Sequence, residues 1–352
     1  MKLKRILCSA LAVILLLSCC SAAMADMSCA YWHEKKAASD SDYYQHWMAD
    51  IPDDTPINDI SVPGTHDSMA YTSPALLKNI VVTQTMTLRQ QLDSGIRYLD
   101  IRLADKGSYL GVYHSIIYLN VSFDTVLDTV SDFLEEHPSE TVFMRIRKEH
   151  ESDTMSRMRE LFGKYYNSEK YSGLFYETIY SPRSGTPTLG DVRGKIYTFS
   201  DAMGLPCGMS YGWLEIQDEF KIFSHWQLYS KWKSVRKFLN AAEESDDGWI
   251  YLNHLSANGV ASPHFVAGGK LLSGTDEKQT STGIIDSKLY SPFPDFPRVP
   301  VLGGLFNVIR FQGTNKLTAD YINRNQLRHV GIIAADFPGE ALIFAVIACN
   351  FR

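Results

Sequence analysis

Histidine beside aspartate at the end of an apolar run is the first chemistry this chain offers. Residues 60–69 read ISVPGTHDSM: an apolar stretch stops at Pro63-Gly64 and is followed by Thr65, His66, Asp67 and Ser68. That is the pattern of a buried strand that turns and displays polar groups. Taken alone, such a pair is more often a satisfied polar cluster than a catalytic one. Two further stretches change its meaning. Tyr98-Leu99-Asp100-Ile101-Arg102 and Val112-Tyr113-His114 also end apolar runs in a charged or titratable group. Consecutive strand ends thus supply His66, Arg102 and His114. Two imidazoles and a guanidinium suit cleavage of a phosphodiester by an internal hydroxyl. One imidazole removes the attacking proton, the other protonates the leaving oxygen, and the guanidinium holds the developing charge with fixed donors. Histidine serves both proton roles because its unperturbed pKa, about 6.5, lies near working pH, and each ring needs a carboxylate to set its tautomer.

The elements that must hold these groups can be read from periodicity. Strand candidates lie at 60–62, 96–103, 109–113, 141–149, 195–200, 214–218, 249–254 and 331–336. In the second, Leu99, Ile101 and Leu103 alternate with Tyr98, Asp100 and Arg102; in the fourth, Val142, Met144 and Ile146 oppose Phe143, Arg145, Arg147 and Glu149. Arg147 and Glu149 should therefore share a face, pointing to the mouth of a barrel, although a plain surface ion pair is the bland alternative. Helical spacing appears at 87–94, at 122–136 behind a Ser122 cap, and at 154–165, 224–242 and 317–326. Tyr43, Tyr44, Trp47 and Met48 are spaced like one face of a short helix that would close a barrel floor. About eight strands with mostly helical crossovers predict a single α/β domain, an imperfect (β/α)8 TIM barrel, imperfect because no helical pattern separates the fifth and sixth candidates. His66, Arg102, His114, Glu149, Asp218 and Asp336 all fall at or just past strand ends, where barrel enzymes place their sites.

Composition narrows the partners. With 352 residues, 45% of them hydrophobic, and a formal net charge of −6, the chain has enough apolar material for a large core and no global basic field to draw it to nucleic acid or anionic lipid. Any membrane contact must be local. Lys2, Lys4 and Arg5 precede an apolar run at 6–17, and Ala23-Met24-Ala25 fits a cleavage site, so 1–25 reads as a signal peptide, 26–352 as the mature barrel, and the protein as secreted. A rival reading takes Leu16-Leu17-Ser18-Cys19 as a lipoprotein site that anchors the chain through Cys19. The mature cysteines Cys29, Cys207 and Cys349 allow at most one disulfide and have no metal-ligand spacing. His225, His254, His264 and His329 have no partner pattern and read as surface or packed residues. The stretch 270–312 is rich in proline and in Phe293, Phe296 and Phe306; it either inserts into a membrane interface or folds back on the barrel.

Taken together, VPGTHDS, YLDIR, YHSIIYLNVSF and SETVFMRIRKE resemble the bacterial phosphatidylinositol-specific phospholipases C, the single-domain, metal-independent branch, and the likeness runs in order over residues 47–337. The resemblance implies cleavage of phosphatidylinositol, or of glycosylated phosphatidylinositol anchors, to diacylglycerol and a cyclic inositol phosphate. It implies His66 as general base oriented by Asp336, His114 as general acid assisted by Asp67, and Arg102 on the phosphate. Arg147, Glu149 and Asp218 would bind the inositol hydroxyls, with Phe220 under the ring. It also implies no metal or other cofactor, a monomer, no nucleic-acid partner, and transient contact with a phosphatidylinositol-containing membrane surface. Two positions depart from the family: Asp201 stands where the bacterial enzymes carry an arginine, and Phe220 where they carry a tyrosine. Weaker headgroup binding is the expectation, unless the loop is remodelled and Arg183 or Arg193 takes the vacant role. Two other functions compete: a metal-dependent glycerophosphodiester phosphodiesterase, which needs carboxylates around a cation, and a catalytically silent headgroup-binding barrel.

Overall fold

The computed structural model describes residues 43–71, 81–179, 185–201, 203–270, 281–286, 293–304 and 306–352. The expected leader at 1–25, Cys19, Cys29 and Arg183 lie outside them. Strands in chain order are β1 (Val62–Thr65), β2 (Tyr98–Asp105), β3 (Leu110–His114), β4 (Ile117–Ser122), β5 (Val142–Lys148), β6 (Ile196–Asp201), β7 (Met209–Ser210) and β8 (Glu215–Gln217). They continue with β9 (Lys221–Ile222), β10 (Tyr251–His254), β11 (Asn258–Gly259), β12 (Ser281–Asp286), β13 (Arg298–Val301), β14 (Phe306–Arg310) and β15 (Ile332–Ala335). The main sheet runs β7-β6-β5-β2-β1-β15-β10-β8. Every neighbour in that order is parallel. The sheet curls into an eight-stranded barrel whose ring is open between β7 and β8, where Tyr211–Trp213 form a 3-10 turn.

The expected barrel is present, with one member exchanged. The candidate at 109–113 is β3, and it pairs antiparallel with β2, not parallel as a barrel strand would. Only residues 106–109 separate the two strands, and a parallel connection needs a crossover of a dozen or more residues. The remaining barrel position belongs to Met209-Ser210, too short a segment to leave a periodic signal. The first strand also begins two residues later than expected and runs through Pro63-Gly64. Gly64 is required there: a Cβ would sit 2.7 Å from two carbons of Tyr98.

Inward side chains fill the barrel in register. Tyr98, Phe143 and Tyr197 lie side by side across β2, β5 and β6, all at most 1% exposed. Phe199 stacks on Phe143 with centroids 6.1 Å apart. Below this layer the segment around Trp47 and Met48 closes the floor as anticipated, both side chains fully buried. Trp47 Nε1 donates to the Gly95 carbonyl at 3.0 Å, and a buried ion pair, Arg97 Nε to Glu140 Oε2 at 2.8 Å, ties the floor together.

Helices α1 (Leu88–Asp93), α2 (Phe123–Glu136), α3 (Met155–Tyr166), α4 (Leu189–Val192), α5 (Leu228–Glu244), α6 (Pro263–Gly268), α7 (Thr314–Asn325) and α8 (Glu340–Cys349) surround the sheet. Most follow the expected spacing. α8 has no polar face, EALIFAVIAC, and therefore no helical period to read; it is buried against β1 and α7. The 270–312 stretch carries the antiparallel sheet β12-β14-β13. Phe293 and Phe296 fold back, 5% exposed, with rings 5.4 and 5.3 Å from Tyr229 on α5. Asp295 between them accepts from Trp232 Nε1 and Arg236 Nη1 at 2.8 and 2.7 Å.

Candidate active site

The turn after β1 presents two neighbouring residues in different directions. Asp67 adopts φ +44°, a conformation costly for a residue with a Cβ. It is held by its own amide donating to Asp100 Oδ2 at 3.1 Å and by Ser68, whose amide donates to the Asp100 carbonyl at 3.0 Å and whose hydroxyl accepts the Asp100 amide at 2.8 Å. Ser115 and Phe337, which follow His114 and Asp336, also have positive φ, +54° and +46°. Left-handed backbone therefore recurs at three corners of one site.

His66 points across to the last strand. Its Nδ1 lies 2.7 Å from Asp336 Oδ1 and its Nε2 lies 2.7 Å from Arg102 Nη2. A guanidinium can only donate, so Nε2 accepts and Nδ1 carries the proton that it donates to Asp336. The Nε2 lone pair thus faces the cleft side of the ring but is occupied by Arg102. Asp336 is fixed in turn by β15 and by Asn315, whose Nδ2 donates to the Asp336 carbonyl at 2.9 Å.

His114 has the opposite character. The β2–β3 hairpin doubles back and brings its Nδ1 to 2.7 Å from Asp67 Oδ2; the contact is close but out of line with the ring N–H, an ion pair more than a straight hydrogen bond. Burial pulls the imidazole's pKa down, but Asp67 more than offsets this and the net shift is upward. Burial likewise pushes the Asp67 carboxyl up, and Arg102 and then His114 bring it below its usual value. The pair thus favours imidazolium and carboxylate, the state of a general acid.

Arg102 stands between the two rings. Its Nη2 and Nε reach Asp100 Oδ2 at 3.0 and 3.3 Å, and its Nη1 lies 3.5 Å from Asp67 Oδ2 and 3.8 Å from Glu149 Oε1. Burial opposes its charge, but Asp100, Asp67 and Glu149 prevail and hold its pKa well above the ordinary arginine value. Asp100, fully buried, also accepts from Arg145 Nη1 at 3.3 Å; burial alone would raise its carboxyl, and the two guanidinium groups force it far down.

These groups border a cleft of about 350 Å³ lined by His66, Arg102, His114, Arg147, Asp218, Phe220 and Asp336 among the expected residues. Asp67 lies behind His114, 1% exposed. Glu149 stands at the edge, where its Oε1 accepts the Ser115 amide at 2.7 Å and its Oε2 lies 3.6 Å from Arg147 Nε, so Arg147 and Glu149 share a face as the alternation required. Thr83, Arg145, Ser256, Ala257, Asn258 and Pro263 complete the lining and were not singled out from sequence. Arg145 had a signal, its place on the inward face of β5. Asp100 lay inside a motif but was passed over.

Asp201, the charge-reversed position, is engaged in the barrel wall. Asp201 Oδ2 accepts from Arg145 Nη2 at 2.6 Å and from Arg145 Nε at 3.1 Å. The position is not an empty contact; it anchors a cleft arginine from the next strand. Arg193 cannot fill the role, because it lies on the floor, with Nε 2.6 Å from Asp53 Oδ1 and Nη2 donating to the Ile51 carbonyl at 2.6 Å. His254 is packed, as expected, but beside the site: its Nε2 lies 3.0 Å from the Tyr211 hydroxyl, its ring meets His66 edge-on at 6.0 Å, and burial pushes its pKa down to about 3.

A parallel barrel with charged groups at the C-terminal mouth, two histidines there each facing a buried carboxylate, defines a barrel enzyme of the phosphodiester-cleaving class. The profile of the phosphatidylinositol-specific phospholipase C X domain matches residues 60–200. A 1-phosphatidylinositol phosphodiesterase of Listeria monocytogenes is 36% identical over 235 residues, 61% of this chain and 69% of that protein. One of Staphylococcus aureus is 29% identical over 256 residues, 64% and 80% of the two chains. The solved phosphatidylinositol-specific phospholipase C from Listeria monocytogenes superposes with a TM-score of 0.62 at 28% identity, covering 87% of this chain and 98% of its own. The chain belongs to the bacterial-type phosphatidylinositol-specific phospholipase C family.

Proposed function

We propose that the protein cleaves phosphatidylinositol by intramolecular transfer, and the observation that carries this reading is the pair of unlike His–carboxylate dyads on either side of Arg102. A ring hydroxyl next to the phosphate attacks phosphorus while His66 Nε2 takes its proton. The P–O bond to the glycerol breaks, and His114 gives its proton to the leaving oxygen. The products are diacylglycerol and a cyclic inositol phosphate, and Arg102 donates to the phosphate oxygens on which charge builds. Glycosylphosphatidylinositol anchors present the same phosphodiester to the same groups. Asp67 and Asp336 orient the rings, and Arg147, Glu149, Asp218 and Phe220 hold the headgroup.

The substrate lies in a membrane, and the rim suits that. Phe220, Phe223 and Val260, 46%, 71% and 63% exposed, flank the β9–β11 pair beside the cleft, and Trp226, 58% exposed, follows in the next turn. These residues support transient contact with a phosphatidylinositol-containing surface; the same proposal takes the protein as a monomer, and the net charge of −6 argues against a nucleic-acid partner. Export through the leader at 1–25 belongs to the same proposal, and the first residue of the mature protein tests it.

Vesicles of phosphatidylinositol with excess chelator provide the test of activity. We expect release of cyclic inositol phosphate without added cation, because the carboxylates at the centre are engaged by Arg102, and arginine cannot ligate a metal. Activity that vanishes in chelator and returns with calcium or magnesium would favour the metal-dependent glycerophosphodiesterase. Inositol binding without turnover would favour the silent barrel.

A further inference from the structure

Arg145 is buried in the barrel wall, its side chain 5% exposed, and yet it borders the cleft. A guanidinium has five N–H donors. Asp201 Oδ2 takes one from Nε and one from Nη2, and Asp100 Oδ1 takes one from Nη1. One N–H remains on each terminal nitrogen. The Tyr211 ring covers one face, 4.1 Å from the guanidinium carbon to the ring centre, so the plane cannot turn. A wall ion pair that served only stability would gain nothing from reaching the cleft, and well-packed apolar residues are commonly as stable as a buried pair.

We propose that Arg145 is a specificity-determining residue that donates to hydroxyl oxygens of a neutral polyol headgroup, and that Asp201 is the positioning residue that aims it. This rests on the headgroup-binding reading of the cleft given above. Asp201 and the shared Asp100 offset much of its charge, so it offers directed N–H groups with a reduced field, which matches hydroxyls better than an additional phosphate. The neighbours fit the same ligand. Arg147 and Asp218 supply a donor and an acceptor along the cleft wall, and Phe220 supplies an apolar face. Asp100 joins the two halves of the site, because its Oδ1 holds Arg145 while its Oδ2 holds Arg102. A headgroup seated on Arg145 therefore braces the carboxylate that orients the phosphate-binding arginine. On this account Asp201 is the support of the headgroup contact, and its reversal to arginine would set two cations against each other.

The test compares wild type with Arg145→Gln, Arg145→Lys and Asp201→Asn, measuring the Kd of free myo-inositol, KM and kcat on phosphatidylinositol vesicles, and Tm. Losing charged donors to a buried polyol should weaken inositol binding by about 10- to 100-fold in Arg145→Gln, with KM rising far more than kcat falls. Asp201→Asn should show a smaller shift in the same direction, and Arg145→Lys should not restore wild-type binding, since an ammonium lacks the planar pair of donors. If Arg145→Gln lowers Tm but binds inositol within about twofold of wild type, the pair is structural and this inference falls while the proposed activity stands. If wild type neither cleaves phosphatidylinositol nor binds inositol, the proposed function itself fails. Should Arg145→Gln not fold, the side-chain N–H resonances of Arg145 in the wild-type protein decide: a shift on adding myo-inositol supports the contact, and no shift overturns it.

Discussion

Arg102 Nη2 sits 2.7 Å from His66 Nε2, where the proton of an attacking hydroxyl must arrive. On the proposed mechanism the free protein keeps its base capped by the group that is to hold the phosphate, and substrate would have to draw the guanidinium away to expose the lone pair. His66→Ala removes the base and His114→Ala the acid. Each should lower kcat by about 10²- to 10⁴-fold with the far-ultraviolet circular dichroism unchanged. A folded variant of either kind that keeps wild-type turnover would show that proton transfer lies elsewhere.

The His114–Asp67 pair sets a pH signature. The imidazole's folded pKa lies above its ordinary 6.5, so its contribution to stability is complete below 6.5 and is lost as pH rises through the folded value. The carboxyl's folded pKa lies below 3.8, so its contribution is present above 3.8 and is lost as pH falls through the folded value. The pair is therefore most stabilising between 3.8 and 6.5. On the proposed mechanism His114 acts in its acid form, so the alkaline limb of kcat should lie above 6.5, and Asp67→Asn should shift it downward because burial and Arg102 then outweigh Glu149. Titration of the His114 ring by NMR checks both; a wild-type value at or under 6.5 contradicts the assignment.

Arg97 and Glu140 face each other on the floor with both side chains 0% exposed. Arg97 also donates to the Leu92, Ile96 and Gln45 carbonyls at 2.7, 2.8 and 2.8 Å, and Glu140 Oε1 accepts the Met48 amide at 3.1 Å. Glu140→Gln strands a buried cation and should cost about 3 to 5 kcal/mol of unfolding free energy. Urea denaturation measures it. A loss under about 1 kcal/mol would mean that water reaches the floor.

Aromatic residues near the rim divide into two kinds. Phe223→Ser and Trp226→Ser remove exposed rings and should weaken vesicle binding while Tm stays within a few degrees. Phe293→Ser and Phe296→Ser open the core over α5 and should cost about 3 kcal/mol or more in stability. Co-sedimentation with phosphatidylinositol vesicles, beside thermal melts, separates the two. Equal loss of vesicle binding in both groups at a temperature where all are folded would refute the division.

Much of this was legible because alternation and helical period mark elements with one face in the core. β2, β5 and α2 were read that way, and their inward residues were placed correctly. Elements without an unlike pair of faces escaped: α8 is apolar all round, and β7 has two residues. The β3 error came from reading an apolar run without weighing the short turn before it. In the site, the dyad of His66 with Asp336 joins residues 270 positions apart, which no local pattern encodes; the family resemblance supplied it. Arg145 lies on the inward face of β5 but short of the strand end, and its pairing with Asp201 joins adjacent strands 56 residues apart, which neither residue's local sequence reveals.

β1 pairs with β15, residue Thr65 beside Ala335, so the base and its orienting carboxylate come from opposite ends of the barrel sequence. A chain emerging in order from a ribosome carries His66, Arg102 and His114 long before it carries Asp336. Without β15 beside β1 the sheet is interrupted between β1 and β10, and Asp336 is not held next to His66. The His66–Asp336 contact is thus the last part of the cleft to be completed along the sequence, and it depends on a strand pairing that spans nearly the whole barrel.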